Sequence, residues 1–192
     1  MNVGVIGFGY WGTNLVRNLQ NTKNCNVTHI AESEVSRHKQ IHELYPDIEI
    51  ESFDAIIKNS NIDAVVIATS ISSHYELAKA ALENDKHVLV EKPMTSSEKN
   101  AQELIKLSKL KNKTLMVDHT YLYSGAVQEI KKSLDANLLG EILYVDSIRA
   151  NLGKFQSDVN VLWDLAPHDI SIINYLINEK PVSVQAFGKS YT

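Results

Sequence analysis

Short apolar runs alternate with amphipathic stretches along most of this 192-residue chain. Val3-Gly4-Val5-Ile6 is a continuous apolar run, followed by "YWGTNLVRNLQN" with Leu15, Val16 and Leu19 at helical spacing. "CNVTHIAE" reads as a second strand, "VSRHKQIHELY" as a helix stopped near Pro46, and "DAIIKNS" as a short helix. "IDAVVIAT" is a buried strand. "HYELAKAALEND" is a helix whose inner face carries Tyr75, Leu77, Ala78, Ala81 and Leu82. "HVLV" is the next strand, and "TSSEKNAQELIKLSKLKN" a helix in which Thr95 and Glu98 have the spacing of a capping box. "TLMVD" is a strand again. Alternating strands and helices of this length make βαβ units, and near-continuous apolar strands belong to a parallel sheet covered on both faces. Residues 1–118 are therefore predicted to form a doubly wound α/β domain.

The pattern changes after residue 118. "GAVQEIKKSLDANLLG" is a helix closed by Gly140, and "VLWDLAPHDISIINYLIN" a helix interrupted early by Pro167. Between and after them, "EILYVDSIRAN" and "KPVSVQAFGKSYT" alternate apolar and polar positions. Alternation predicts strands with one exposed face, usually antiparallel. Residues 119–192 thus read as an incomplete α+β domain with an open, mainly antiparallel sheet, since two strands are too few to be stable alone.

The first turn carries candidate chemistry. "GVIGFGYWG" sets Gly7, Gly9 and Gly12 as G-x-G-x-x-G between a strand and a helix. The first glycine permits a tight turn, the second close approach of backbone to a pyrophosphate, and the third close helix–strand packing. A diphosphate there would meet the unpaired N–H groups of a helix N-terminus. Glu32 stands twenty residues past Gly12, at the end of the second strand, where a carboxylate binds the adenosine ribose hydroxyls. It would repel a 2′-phosphate, so NAD is expected over NADP. Arg37 follows closely and is more simply a surface helix residue.

In "VLVEKPMTSSE" a buried strand ends in Glu91, Lys92 and Pro93. Charges at the end of a buried strand are costly unless they pair or do chemistry. Two readings fit: a Glu91–Lys92 pair that closes the strand, or an amine placed at the ligand edge, where strand carboxyl ends face the cofactor. In "WDLAPHD", Asp164 and His168 are four apart and share one helix face. That pair fits a surface contact, or a carboxylate-oriented general base if it faces a cofactor cleft.

Composition narrows the rest. Hydrophobic residues make up 44% and charged residues 22% of the chain, as in globular domains with a real core. A formal charge of −4 suggests no nucleic-acid partner. The run Lys106, Lys109, Lys111 and Lys113 suits the end of a helix. Cys25 is the only cysteine, which excludes an intrachain disulfide and fits a reducing compartment. The remaining histidines are scattered, so no metal site is expected. No apolar run approaches the ~20 residues of a membrane span. Met1 runs straight into a strand rather than a leader. A cytoplasmic location follows as an expectation.

Taken together, Gly7-Phe8-Gly9-Tyr10-Trp11-Gly12, Ala68-Thr69 followed by His74, Glu91-Lys92-Pro93, and Asp164-x-x-x-His168-Asp169 resemble the Gfo/Idh/MocA oxidoreductases. "GYWGTNLVRNL", "DHTYLYSGAV" and "NVLWDLAPHD" are similar to the sugar-nucleotide 3-dehydrogenase branch of cell-surface polysaccharide pathways. The resemblance implies a Rossmann NAD(P) domain at 1–118 and part of a substrate-binding and oligomerisation domain at 119–192. It implies oxidation of a ring hydroxyl, at C3, of a sugar or sugar nucleotide such as a UDP-N-acetylhexosamine or its uronate, with hydride leaving the carbon that bears it. Lys92 would hold the hydroxyl, His168 take its proton, and Asp164 assist. The Lys92–Pro93 peptide is expected to be cis. Phe8, Tyr10, Trp11, Arg37, Thr69, Ser70, His74, Glu91 and Pro93 would line the dinucleotide alongside the three glycines and Glu32. His119, Tyr123, Arg149 and Asn160 would line the substrate. Tyr121-Leu122-Tyr123 stands where many members have Arg-Arg-Phe, and Ser70 where a proline is common. Members run considerably longer and often oligomerise through the second domain, so this chain reads as their N-terminal part. An NAD-dependent glycosidase, an inositol or other polyol dehydrogenase, and a non-catalytic NAD-binding regulator remain open.

Overall fold

The computed structural model describes residues 1–150, 159–177 and 179–189. It contains a six-stranded parallel sheet built from β1 (Asn2–Ile6), β2 (Asn26–Ala31), β3 (Glu49–Ile50), β4 (Ala64–Ile67), β5 (His87–Glu91) and β6 (Leu115–Asp118). Their order is β3-β2-β1-β4-β5-β6, and every pairing is parallel. This is the doubly wound order, with its switch point between β1 and β4.

The apolar strands are continuous because both faces are covered. On one face Ile6, Val65, Ile67, Val88 and Val90 pack with α3 (Phe53–Lys58), α4 (Ile71–Glu83) and α5 (Glu98–Leu110) through Ile56, Ala78, Leu82 and Leu104. On the other, Val3, Val5, Val27, Ile30 and Val66 pack with α1 (Tyr10–Gln20) and α2 (His38–Leu44) through Val16 and Ile41. The period of two along β1 and β4 divides their side chains between these two cores.

One local expectation is corrected. Thr95 is not the cap of α5; Ser97 is, its hydroxyl accepting from the Asn100 N–H at 3.3 Å. Thr95 is buried, and its hydroxyl donates to the Ser97 carbonyl instead. The two serines after Thr95 give the chain a cap nearer the first helical turn than the Thr-x-x-Glu spacing suggested.

The chain divides into two compact units, the first holding Met1–Asp118 and the second running from His119, apart from the segment ending at Asn160. The second contains α6 (Gly125–Asp135) and α7 (Val161–Leu176). The Ser124 hydroxyl caps α6, and Tyr175 of α7 reaches Gln128 of α6 at 3.4 Å. Pro167 does not interrupt α7, which runs through it. Proline removes one N–H and costs helix stability, yet a helix held by tertiary contacts tolerates it.

The alternating segments at 141–151 and 180–192 are not strands over their described residues, 141–150 and 180–189. A strand exists only when a neighbour takes its N–H and C=O groups. Among the described residues these two segments have no ladder. Val182 and Val184 are fully or nearly fully exposed, with Phe187 similarly open. The remaining residues of both segments lie outside the described residues.

Candidate functional site

The glycine turn links the end of β1 to the start of α1, beside the switch point. Gly7 has φ +92°, a left-handed conformation that only glycine adopts freely. Its N–H donates to the Ala31 carbonyl at 2.8 Å, which fastens the turn to β2. A Cβ on Gly7 would sit 2.6 Å from the Ala68 carbonyl oxygen, and one on Gly12 only 2.1 Å from the Gly7 carbonyl oxygen. Both glycines are therefore required by the protein's own packing. Gly9 is different. A Cβ there would meet nothing closer than Arg37 Nη1 at 3.6 Å, an ordinary contact, and its backbone at φ −76° suits any residue. The fold leaves Gly9 bare without needing to, which fits a ligand backbone lying against it. Gly9 precedes the first turn of α1 and bears no capping side chain, so the N–H groups there can accept an anion. These residues fit a dinucleotide pyrophosphate.

Glu32, just past the end of β2, is held from several sides. Its side chain is only 5% exposed. Its carboxylate accepts from the Phe8 N–H at 2.7 Å and the Glu34 N–H at 2.8 Å. Arg37 Nη1 stands 3.2 Å away and also pairs with Glu34. Burial pushes this carboxyl up, but the Glu34 and Phe8 N–H groups and Arg37 outweigh it and hold it below the usual carboxylate range. Glu32 therefore stays ionised at neutral pH. Arg37 is part of this arrangement rather than a plain surface residue. Phe8 is 2% exposed, so it serves through its N–H and not its ring. Tyr10 and Trp11 stand exposed at the mouth of the turn, edge to face at 5.5 Å.

Across the switch point, Thr69 bonds Ser73 at 2.7 Å, and Ser70 is the exposed N-cap of α4. His74 lies inside the fold. It is 1% exposed, with Nδ1 at 2.9 Å from the Pro93 carbonyl and Nε2 at 3.1 Å from the Thr69 carbonyl. Its ring ties the turn after β4 to the turn after β5. The Lys92–Pro93 peptide is cis, as expected. Lys92 is half-buried on the carboxyl edge of β5. Glu91 is 8% exposed and turned inward, accepting from the Lys92 N–H at 3.2 Å. It is too buried to line a cofactor, because its carboxyl meets Asp118 on β6.

In the second unit, Asp164 and His168 lie one turn apart on α7 and are both partly buried. The Tyr121 ring meets the His168 ring edge to face at 4.8 Å. Arg149 lies over the Tyr121 ring at 5.0 Å and pairs with Asp169, which also accepts from Ser147 at 2.9 Å. The bond to Asp169 pushes the Arg149 guanidinium up, and the same bond holds Asp169 down. Arg149 is thus committed to a cluster beside His168, which leaves it poorly placed to seize a substrate anion. Tyr121 and Asp169 were missing from the site expected from sequence, because an aromatic clamp across non-adjacent segments leaves no spacing signal. Tyr123 and Asn160 are exposed, and His119 is partly buried. Among the described residues, no group of three His, Cys, Asp or Glu side chains is placed to hold a metal ion, and no helix is long and apolar enough to cross a membrane.

Comparison with known proteins agrees with this geometry. The 2,7-anhydro-N-acetylneuraminate hydratase of Escherichia coli (strain K12) is 27% identical, over 98% of this chain and 52% of its own length. The UDP-N-acetylglucosamine 3-dehydrogenase of Acidithiobacillus ferrooxidans is also 27% identical, over 98% of this chain and 58% of its own. A variant 3-ketoreductase from Actinomadura kijaniata, solved with TDP-benzene and NADP, superposes with a TM-score of 0.67 at 28% identity. It covers 74% of this chain and 44% of that one. The chain spans about half the length of the curated relatives it matches. The family profile described as "Oxidoreductase family, NAD-binding Rossmann fold" matches residues 1–119, and the chain belongs to that family, the Gfo/Idh/MocA oxidoreductases.

Proposed function

We propose that this chain supplies the cofactor site and the reacting groups of an NAD-dependent dehydrogenase that oxidises a ring hydroxyl, at C3, of a sugar or sugar nucleotide. The observation that carries this reading is the bare Gly9 backbone beside a buried, ionised Glu32, on the same sheet edge as Lys92. Glu32 disfavours a 2′-phosphate, so NAD is the cofactor rather than NADP. When bound, NAD accepts a hydride from the carbon that bears the hydroxyl. Lys92 holds and polarises that hydroxyl, His168 takes its proton, and Asp164, one turn before it, orients the imidazole. Residues 119–192 would then belong to a substrate-binding and oligomerising domain. The UDP-N-acetylglucosamine 3-dehydrogenase relative favours a UDP-N-acetylhexosamine as the substrate.

The hydratase relative, equally similar, favours a second reading. In it the ring is oxidised only transiently, a group is eliminated or water added, and the ketone is reduced again. An NAD-dependent glycosidase would work this way. The experiment is a panel of UDP-sugars, free sugars, inositols and glycosides with NAD, following NADH absorbance and products together. Accumulating NADH with a UDP-sugar supports the dehydrogenase. Altered sugar without net NADH supports the second reading. No change with any compound overturns both.

A further inference from the structure

Glu91 ends β5 and Asp118 ends β6, and the parallel register sets the two directly opposite each other. Side chains so paired project from the same face of the sheet. Glu91 is 8% exposed, and the two carboxyl groups are within hydrogen-bonding reach. A buried oxygen of Asp118, Oδ2, finds no donor among the described residues. Two ionised carboxylates are acceptors only and cannot bond to each other. One proton between them removes that conflict and supplies the missing donor.

The surroundings offer little other relief. On its own strand Glu91 receives the Lys92 N–H at 3.2 Å and feels the Lys92 charge. From β4, the other neighbour of β5, the last paired residues are apolar, Val66 with Leu89 and Ile67 with Val90. On α4, His74 is bonded to the Thr69 and Pro93 carbonyls. His119 follows Asp118 in the chain. Burial and the Asp118 charge together push the Glu91 carboxyl up to about 8, against the weaker pull of Lys92.

We propose that Glu91 and Asp118 act as one proton-sharing carboxyl pair whose single negative charge at neutral pH positions the Lys92 ammonium. Both are then positioning residues for the lysine. With one proton the pair carries one charge, which the ammonium balances. Once the proton leaves, the pair carries two. The inference deepens the proposed dehydrogenase, in which Lys92 meets the hydroxyl. Its test reads protons on the ligand-free protein, so it can fail while that function stands.

The test is carbon-detected NMR of the protein labelled at Glu and Asp carboxyls and at Lys Cε, titrated from pH 4 to 10, for the parent and for Asp118→Asn. In the parent one carboxyl of the pair is expected to titrate near pH 8, and the Lys92 Cε resonance to move in the same step. In Asp118→Asn the amide donates to Glu91 and the like charge is gone, so the step moves down in pH, burial alone still holding it above the ordinary range, and its echo at Lys92 moves with it. The folded pair binds a proton that the unfolded chain, at about 4.5, releases. Its contribution to stability is therefore full below pH 4.5 and is lost as pH rises through about 8. The urea midpoint should fall over that interval more steeply in the parent than in the variant. Both carboxyls titrating in the ordinary acid range in the parent would overturn the pair, a result that needs no variant to fold. A high step with a flat Lys92 signal would overturn its positioning role.

Discussion

Replacing Lys92 with alanine is expected to cut turnover by about 100-fold or more while leaving NADH affinity within about twofold, since a positioned acid or base group contributes 10²–10⁴. The two halves of this expectation come from different places in the fold. Affinity for the dinucleotide arises at the glycine turn and at Glu32, whose carboxylate is already fixed by the Phe8 and Glu34 N–H groups. Lys92 stands at a different strand, just past the end of β5. It follows β5, where the His74 bond to the Pro93 carbonyl holds the backbone of the turn. Its amine is therefore carried by a well-held backbone, half out of water. Measured on the active enzyme, kcat and the NADH dissociation constant separate the two effects. Unchanged turnover would remove Lys92 from the chemistry, leaving it only to close the strand.

The glycines predict a second, opposite split. Gly12→Ala forces a Cβ to within 2.1 Å of the Gly7 carbonyl oxygen, and the obstacle is backbone that cannot swing away. Overpacking of that kind costs about 1–3 kcal/mol or more. In a domain of this size each 1 kcal/mol is worth roughly 2–4 °C of melting temperature. Gly9→Ala meets only the tip of Arg37 at 3.6 Å and sits in an ordinary backbone conformation. It is expected to melt within about 2 °C of the parent, by the same scaling. Its methyl would occupy the surface where the pyrophosphate needs to lie, so NADH binding should weaken at least tenfold. Thermal melts and NADH titrations of the two variants decide it. A Gly9→Ala protein that binds NADH as well as the parent would mean that the pyrophosphate does not rest on that turn.

The alternation of strands and helices made the parallel sheet legible, because both of its faces are buried and its strands are correspondingly apolar. G-x-G-x-x-G and Glu32 were legible too, since the spacing that binds a dinucleotide is local to one βαβ unit. What sequence could not show was contact across the sheet. His74 stands in a motif segment, yet its ring is spent on two carbonyls from separate turns. Arg149 was expected to line the substrate, and its contacts with Asp169 and Tyr121 arise only through the fold. The Glu91–Asp118 pairing depends on β6 lying beside β5, a fact of strand order. The alternating segments failed differently over their described residues, 141–150 and 180–189. Their pattern specifies a face, but a strand also needs a neighbour to satisfy its backbone.

The most direct test of the central claim is to titrate the purified chain with NADH and separately with NADPH, following nicotinamide fluorescence. The account predicts that NADH binds at least tenfold more tightly, because a 2′-phosphate would meet the ionised, buried Glu32. Equal or tighter binding of NADPH, with Arg37 released from Glu32 to hold the phosphate, would contradict it, as would binding of neither.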